Sequence, residues 1–264
     1  MTLYSFRKYN PDWEVVLYLS NNNNTTKTWQ GCEEQDFSNY NGINYLSKVE
    51  ELNIKIEKVE FPEEVRDKFI GISPVHESDL FRYYQLYKSG GFYCDMDVLF
   101  FRSIDSFYDN IIRNKIDTVI YQCTGYVAIG FLGASVGNPF YRDLFYFGMN
   151  NFNTKDYQSL GVDLIYRMFN GSRAQANILN GIIGNYKNLK VYSIPTELVY
   201  FFDWTKIEYN FTNNVYVNKF PKESIGYHWF GGSKISQNHN NMMNEDNFKN
   251  YTTTFTAIAK KILE

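Results

Sequence analysis

Apolar and polar positions along the chain follow two rhythms. Trp13 to Leu19 is an apolar, β-branched run that predicts a buried strand. Asn21 to Asn24 reads as a polar loop, and residues 33–52 are weakly helical at most. Ile54 to Val59 alternates apolar and charged residues, as a strand with one solvated face does. The strongest helix signal comes next. Ser73 can cap and Pro74 suits the first helical position, while Leu80, Tyr83, Tyr84 and Tyr87 recur on one helical face. Gly90-Gly91 should stop that helix, because glycine tolerates the left-handed conformation that ends helices. Phe92 to Cys94 then enters a short strand that delivers Asp95 and Asp97, and Val98 to Phe101 continues extended.

Downstream, strands are predicted at Asp117 to Gln122, Val127 to Leu132, Leu189 to Ile194 and Gly226 to Phe230. Helices are predicted at Pro139 to Gly148, Val162 to Phe169 and Gln175 to Ile183. Residues 231–247 read as a flexible Gly/Asn-rich loop and residues 248–264 as a closing helix. Interleaved strands and helices define an α/β class with a mostly parallel sheet. No convincing linker interrupts the 264 residues, so a single domain over 1–264 is expected.

Composition changes this picture in a few places. Aromatic residues make up 19% of the chain, with 23 Tyr and 22 Phe. Such rings suit a carbohydrate cleft, where a ring face packs on a sugar, but a low-GC coding bias produces the same surplus. The net charge of −3, without a basic block, excludes tracking of a nucleic-acid backbone. No apolar run approaches the roughly 18 residues of a membrane span, and the N-terminus lacks the apolar stretch of a signal peptide. Cys32, Cys94 and Cys123 stand at no ligand spacing. An odd count without a secretion signal predicts free thiols in a reducing compartment, hence a cytoplasmic protein or one peripheral to a membrane.

Three stretches carry candidate chemistry. In Asp95-Met96-Asp97 an extended backbone would aim both carboxylates the same way. Two such groups stay ionised most readily with a cation beside them, and oxygen ligands favour Mg²⁺ or Mn²⁺. Asp79 and Arg82 are i, i+3 neighbours on the preceding helix, so Arg82 could hold Asp79 in a fixed rotamer, though an ordinary surface ion pair reads the same. His228 could complete a metal shell at the end of an apolar strand, with Gly231-Gly232 bending the backbone around a ligand and Lys234 offering a charge to phosphate. A satisfied core histidine is the competing reading of His228, and His76 and His239 read as surface residues.

Together these stretches resemble a known family. The run from Ser78-Asp79-Leu80 through Arg82-Tyr83, Leu86-Tyr87 and Gly90-Gly91 to Tyr93, Asp95 and Asp97 resembles the DXD sugar-binding region of family 32 glycosyltransferases. That family includes capsule, lipopolysaccharide and initiating mannosyltransferases, and clostridial glucosylating toxins share its signature. Asn10 to Glu14, Gly133 to Phe140 and His228-Trp229-x-Gly231 are similar to further family segments. The resemblance implies a GT-A fold, Rossmann-like around a DXD cleft, with retaining transfer of a hexose from a UDP- or GDP-sugar to a glycan or lipid-linked sugar. By position it makes Asp95 and Asp97 catalytic, assigns Asp95, Asp97 and His228 to Mn²⁺ or Mg²⁺, with Asp97 a direct ligand and Asp95 at the metal through water or at the ribose, and places Asp79, Arg82, Tyr83, Gly91, Gly231 and Lys234 at the donor.

Two departures from the family pattern follow. The family opens on a strand reading like IPKIIHQIWFG, and these residues begin at what resembles the next helix, so that strand is expected to be missing. The nearest stretch to the related D-Q-D-x-L-N run is Gln175 to Asn180, which keeps only Asn177 as a donor candidate. A degenerate sugar- or nucleotide-binding module and a phosphatase with a strand-end D-x-D nucleophile are the alternatives.

Overall fold

The computed structural model describes residues 1–20, 43–69, 72–123, 126–169, 171, 179, 182–212 and 216–264. In chain order the first elements are α1 (Thr2–Tyr9), β1 (Val16–Leu19), α2 (Leu46–Glu50), β2 (Lys55–Lys58), α3 (Glu63–Arg66), α4 (Pro74–Ser89), β3 (Gly91–Cys94) and β4 (Val98–Phe100). They are followed by α5 (Asp105–Arg113), β5 (Thr118–Cys123), β6 (Tyr126–Ala134), α6 (Pro139–Asn150) and α7 (Val162–Met168). The chain closes with β7 (Val191–Ser193), α8 (Thr196–Val199), β8 (Gly226–His228), α9 (Lys234–Met242) and α10 (Thr254–Leu263).

The strands form a mixed α/β arrangement rather than the mostly parallel sheet the sequence predicts. β1 pairs with β2 in parallel, β4 with β8 antiparallel, and β3-β6-β5-β7 form a four-stranded sheet in that order. Within the larger sheet only β5–β7 is parallel. The physical reason lies in connection length. Two residues separate β5 from β6, too few for the crossover that a parallel pair needs.

Helix α4 forms as its periodicity predicts. The Ser73 hydroxyl accepts from the His76 amide at 3.2 Å, and Leu80, Tyr83 and Leu86 are buried. Gly90 ends the helix at φ +66, where a Cβ would also meet Ala134 O at 2.8 Å, so only glycine fits. Much of the aromatic surplus is core: Tyr83, Tyr121, Tyr141, Phe131, Phe140 and Phe145 are all buried.

Asn138 links α6 to the sheet. Its Oδ1 accepts from the Phe140 and Tyr141 amides, while its Nδ2 donates to Asp117 O and Thr118 Oγ1. Loss of this buried cap also strands its partners, so Asn138→Ala should cost about 2 kcal/mol. A fall in the urea midpoint at unchanged slope checks this.

Several boundaries differ from expectation. The first strand begins only at Val16, because Trp13 turns aside to pack on Phe92 and Tyr108 and donates Nε1 to Asp105 at 2.8 Å. Residues 231–247, expected as a loop, contain α9. The Ser233 hydroxyl accepts from the Ser236 amide, and Ser236 is fully buried, so cap and packing override a poor helical composition. The expected closing helix is interrupted: a 3₁₀ turn at Phe248–Asn250 precedes α10, which restarts on a Thr253/Thr256 capping box. His76 is buried, not exposed, against Phe152, and His239 is half-buried and stacked on Phe211. Asn21 to Asn24, Cys32 and most of Gln175 to Ile183 lie outside the described residues; among the described residues neither Cys94 nor Cys123 forms a disulfide.

Candidate active site

Two sheets meet at Asp95-Met96-Asp97. The Asp95 amide donates to Gly130 O at 2.8 Å, extending the β3–β6 ladder by one step. On the other side Val98 pairs with His228, and the Trp229 amide donates to Asp97 O at 3.0 Å. Between them the chain turns instead of continuing extended, with Met96 exposed at the tip. From α1, the Thr2 hydroxyl donates to Met96 O and the Ser5 hydroxyl accepts from the Phe100 amide. The two carboxylates therefore converge because a braced turn aims both at His228, and not through strand alternation.

The cluster is tight. His228 Nε2 lies 3.0 Å from Asp97 Oδ1 and 3.7 Å from Asp95 Oδ2, and one ligand atom from each residue falls within 4.8 Å of the others. Asp97 Oδ2 accepts from the Gly231 amide at 2.7 Å. Asp97 Oδ1 is buried with no partner in hydrogen-bonding geometry, despite the nearby imidazole. Asp95 Oδ1 accepts from Tyr93 OH at 2.8 Å and pairs with Arg82 Nη1 at 3.1 Å. Burial works against ionising Asp95, but Arg82, with His228 and Tyr93, outweighs it and holds the carboxyl at about 2. Burial would likewise lower His228, yet Asp97 and Asp95 push it up to about 9. The Phe230 amide donates to His228 Nδ1 at 3.1 Å, so the neutral ring carries its proton on Nε2, toward the carboxylates.

These groups fit a divalent cation. Two carboxylates and an imidazole are a suitable donor set, and the orphaned Asp97 oxygen is the kind of buried group a cation satisfies. A cation at Nε2 would displace the proton there. Gly130 leaves the room: a Cβ at that position would stand 2.7 Å from both Asp95 Oδ2 and His228 Nε2. Gly130→Ala should therefore fold yet lose at least about 10-fold in Mn²⁺ affinity, the scale of a disturbed ligand shell, as read by calorimetry.

The second predicted pair is a buried bridge, not a surface ion pair. Arg82 Nη2 lies 2.7 Å from Asp79 Oδ1, with both side chains 6% exposed. Arg82 Nη1 also donates to Ile129 O at 2.9 Å, and the guanidinium stacks on the Tyr93 ring at 4.5 Å. Arg82 thus joins Asp79 to Asp95.

Other expected donor residues fall differently. Tyr83 is fully buried with its hydroxyl toward Gly161 O, so it supports α4 from within the core. Gly91 opens β3 four residues before Asp95, and its positive φ serves the turn out of α4. Gly231 sits beside Asp97, and Lys234 is exposed at the first turn of α9. Asn177 lies outside the described residues. Sequence reasoning missed Gly130 and Tyr93. Tyr93 had a signal, since it precedes Asp95 by two residues, one strand period; a lone glycine in an apolar run offers none. Two surface pockets, one lined by Phe101, Arg102, Val217 and Lys261 and the other by Tyr84, Tyr87 and Tyr146, share no residue with this cluster.

Residues 2–116 match the family described as glycosyltransferase sugar-binding region containing DXD motif. The matched span holds Asp79, Arg82, Asp95 and Asp97 and ends before Gly130 and His228. The match supports a glycosyltransferase, a class that takes a nucleotide-sugar donor and an acceptor. No curated protein and no solved structure matches the chain. Among the described residues, no helix is long and apolar enough to cross a membrane.

Proposed function

We propose that the chain is a metal-dependent, retaining hexosyltransferase of GT-A type, a single domain acting on a nucleotide-diphosphate sugar. The observation that carries this reading is the convergence of Asp95, Asp97 and His228 around a space that Gly130 leaves open, within and beside the DXD-type match. Asp97 and His228, with Asp95, would hold Mn²⁺ or Mg²⁺. Such an ion, when bound, neutralises charge building on the leaving diphosphate. Arg82 keeps Asp95 ionised and turned toward the cluster. The pair Asp79–Arg82 backs the donor sugar, and Lys234 at the start of α9 meets the diphosphate by its charge. Gly231, tied to Asp97 through its amide, couples the loop before α9 to the cluster, so that closure of this loop would exclude water. The acceptor is a glycan or lipid-linked sugar hydroxyl.

The test is a scan of UDP- and GDP-hexoses for Mn²⁺-dependent thermal stabilisation, followed by donor turnover with Mn²⁺ and after EDTA. Stabilisation and EDTA-sensitive turnover are expected. Turnover that survives EDTA removes metal dependence, and binding without turnover marks a binding module instead.

A further inference from the structure

Aromatic rings lead away from the cluster in one unbroken series. Tyr200, fully buried, stacks on His228 with centroids 5.6 Å apart and planes at 28°. Tyr121 packs on Tyr200 at 4.4 Å, Tyr126 on Tyr121 at 6.0 Å, and Trp204 on Tyr126 at 6.3 Å. Along this series burial fades. Tyr126 is half-buried, and Trp204 is 56% exposed. Burial raises the Tyr126 phenol, with Tyr121, Cys123, Asp203 and Asp95 adding to it, so Tyr126 feels both the cluster and the rim.

Trp204 is also held in place. It opens the 3₁₀ helix Trp204–Asn210, whose cap is Asp203: Oδ1 accepts from the Thr205 amide at 2.9 Å and from its hydroxyl. Asp203 Oδ2 lies 3.3 Å from Lys206 Nζ and retains lone pairs for further donors. An exposed indole on a capped turn, a phenol and a carboxylate form a set suited to one chemistry. The C–H face of a pyranose packs on the rings, and its hydroxyls bond to the polar groups.

We propose that Trp204 and Tyr126 form a subsite for a pyranose ring of the acceptor, with Asp203 beside them accepting from its hydroxyls. This rests on the glycosyl-transfer reading above. The carboxylate favours the acceptor over the donor end, because an acid at the platform repels a diphosphate and suits an uncharged polyhydroxyl ring. The subsite extends recognition beyond the residue-2–116 match, since both rings lie outside it.

The experiment compares wild type, Trp204→Ala and Trp204→Phe, with Ile112→Ala as a control at an exposed apolar residue that is not part of the series. UDP-glucose and GDP-mannose serve as donors with Mn²⁺. The methyl glycosides of glucose, galactose and mannose serve as acceptors. The ratio of transfer to donor hydrolysis should fall about tenfold in Trp204→Ala, recover largely in Trp204→Phe, and match wild type in Ile112→Ala. An unchanged ratio overturns the subsite, as does a parallel loss of transfer and hydrolysis, which would mark a donor contact. Without donor hydrolysis in wild type, the transferase reading fails, and the subsite is judged by binding alone. Saturable quenching of tryptophan fluorescence by the glycosides, lost in Trp204→Phe, then supports it. Equal or absent quenching in both proteins overturns it.

Discussion

Asp97→Asn should abolish Mn²⁺-dependent thermal stabilisation and lower donor turnover by at least about 100-fold, since loss of a direct ligand exceeds the roughly 10- to 100-fold cost of outer-shell changes. The substitution keeps the side chain's shape, so the Gly231 amide still has an oxygen to donate to. What it removes is charge. Asp97 Oδ1 is a buried oxygen that faces the His228 imidazole at 3.0 Å outside hydrogen-bonding geometry, and a cation held by both would satisfy it. The amide nitrogen of Asn offers no ligand in its place. Circular dichroism should be unchanged, which separates loss of the ion from loss of the fold. A variant that keeps full Mn²⁺ stabilisation would show that the cluster is not where the ion binds.

The site was more legible in the sequence than the sheet around it. Ser73, Pro74 and Gly90 bound α4 through local rules, and local rules are what a single sequence carries well. Asp79, Arg82, Asp95, Asp97 and His228 are all brought together, although His228 is far from the others in sequence and reaches them through β4–β8 pairing. Strand direction was harder, because apolar runs look alike in parallel and antiparallel neighbours. The short gap between the two expected strands, residues 123–126, was the readable clue. Burial was misjudged at His76 and left open at the Asp79–Arg82 pair, since charge patterns read as solvated until a neighbour is known to cover them. Gly130 was invisible for a related reason. Its value lies in the space next to Asp95 and His228, and space has no residue type.

The largest stability effect should come from Arg82. Arg82→Met is expected to destabilise the fold by about 3–5 kcal/mol, because it leaves the carboxylates of Asp79 and Asp95 without their buried counter-charge. Arg82→Lys should recover only part of this. One ammonium cannot serve Asp79, Asp95 and the Ile129 carbonyl at once, as the guanidinium fork does. The pH dependence separates this account from simple loss of packing. In wild type Asp95 is held at about 2, below its ordinary value, so its contribution is present above the unfolded carboxyl range and is lost as pH falls toward 2. Without Arg82 the carboxyl loses its largest favourable partner while burial remains, so it rises from about 2 relative to wild type. The variant is then penalised at pH 7, and the penalty shrinks as the pH falls and the carboxyl is protonated. Urea unfolding at pH 7 and pH 3 reads the difference directly, since pH 3 reaches the range in which the Asp95 carboxyl titrates. A deficit equal at both pH values would mean that Arg82 acts through packing on Tyr93 alone, and that Asp95 does not depend on it for its charge.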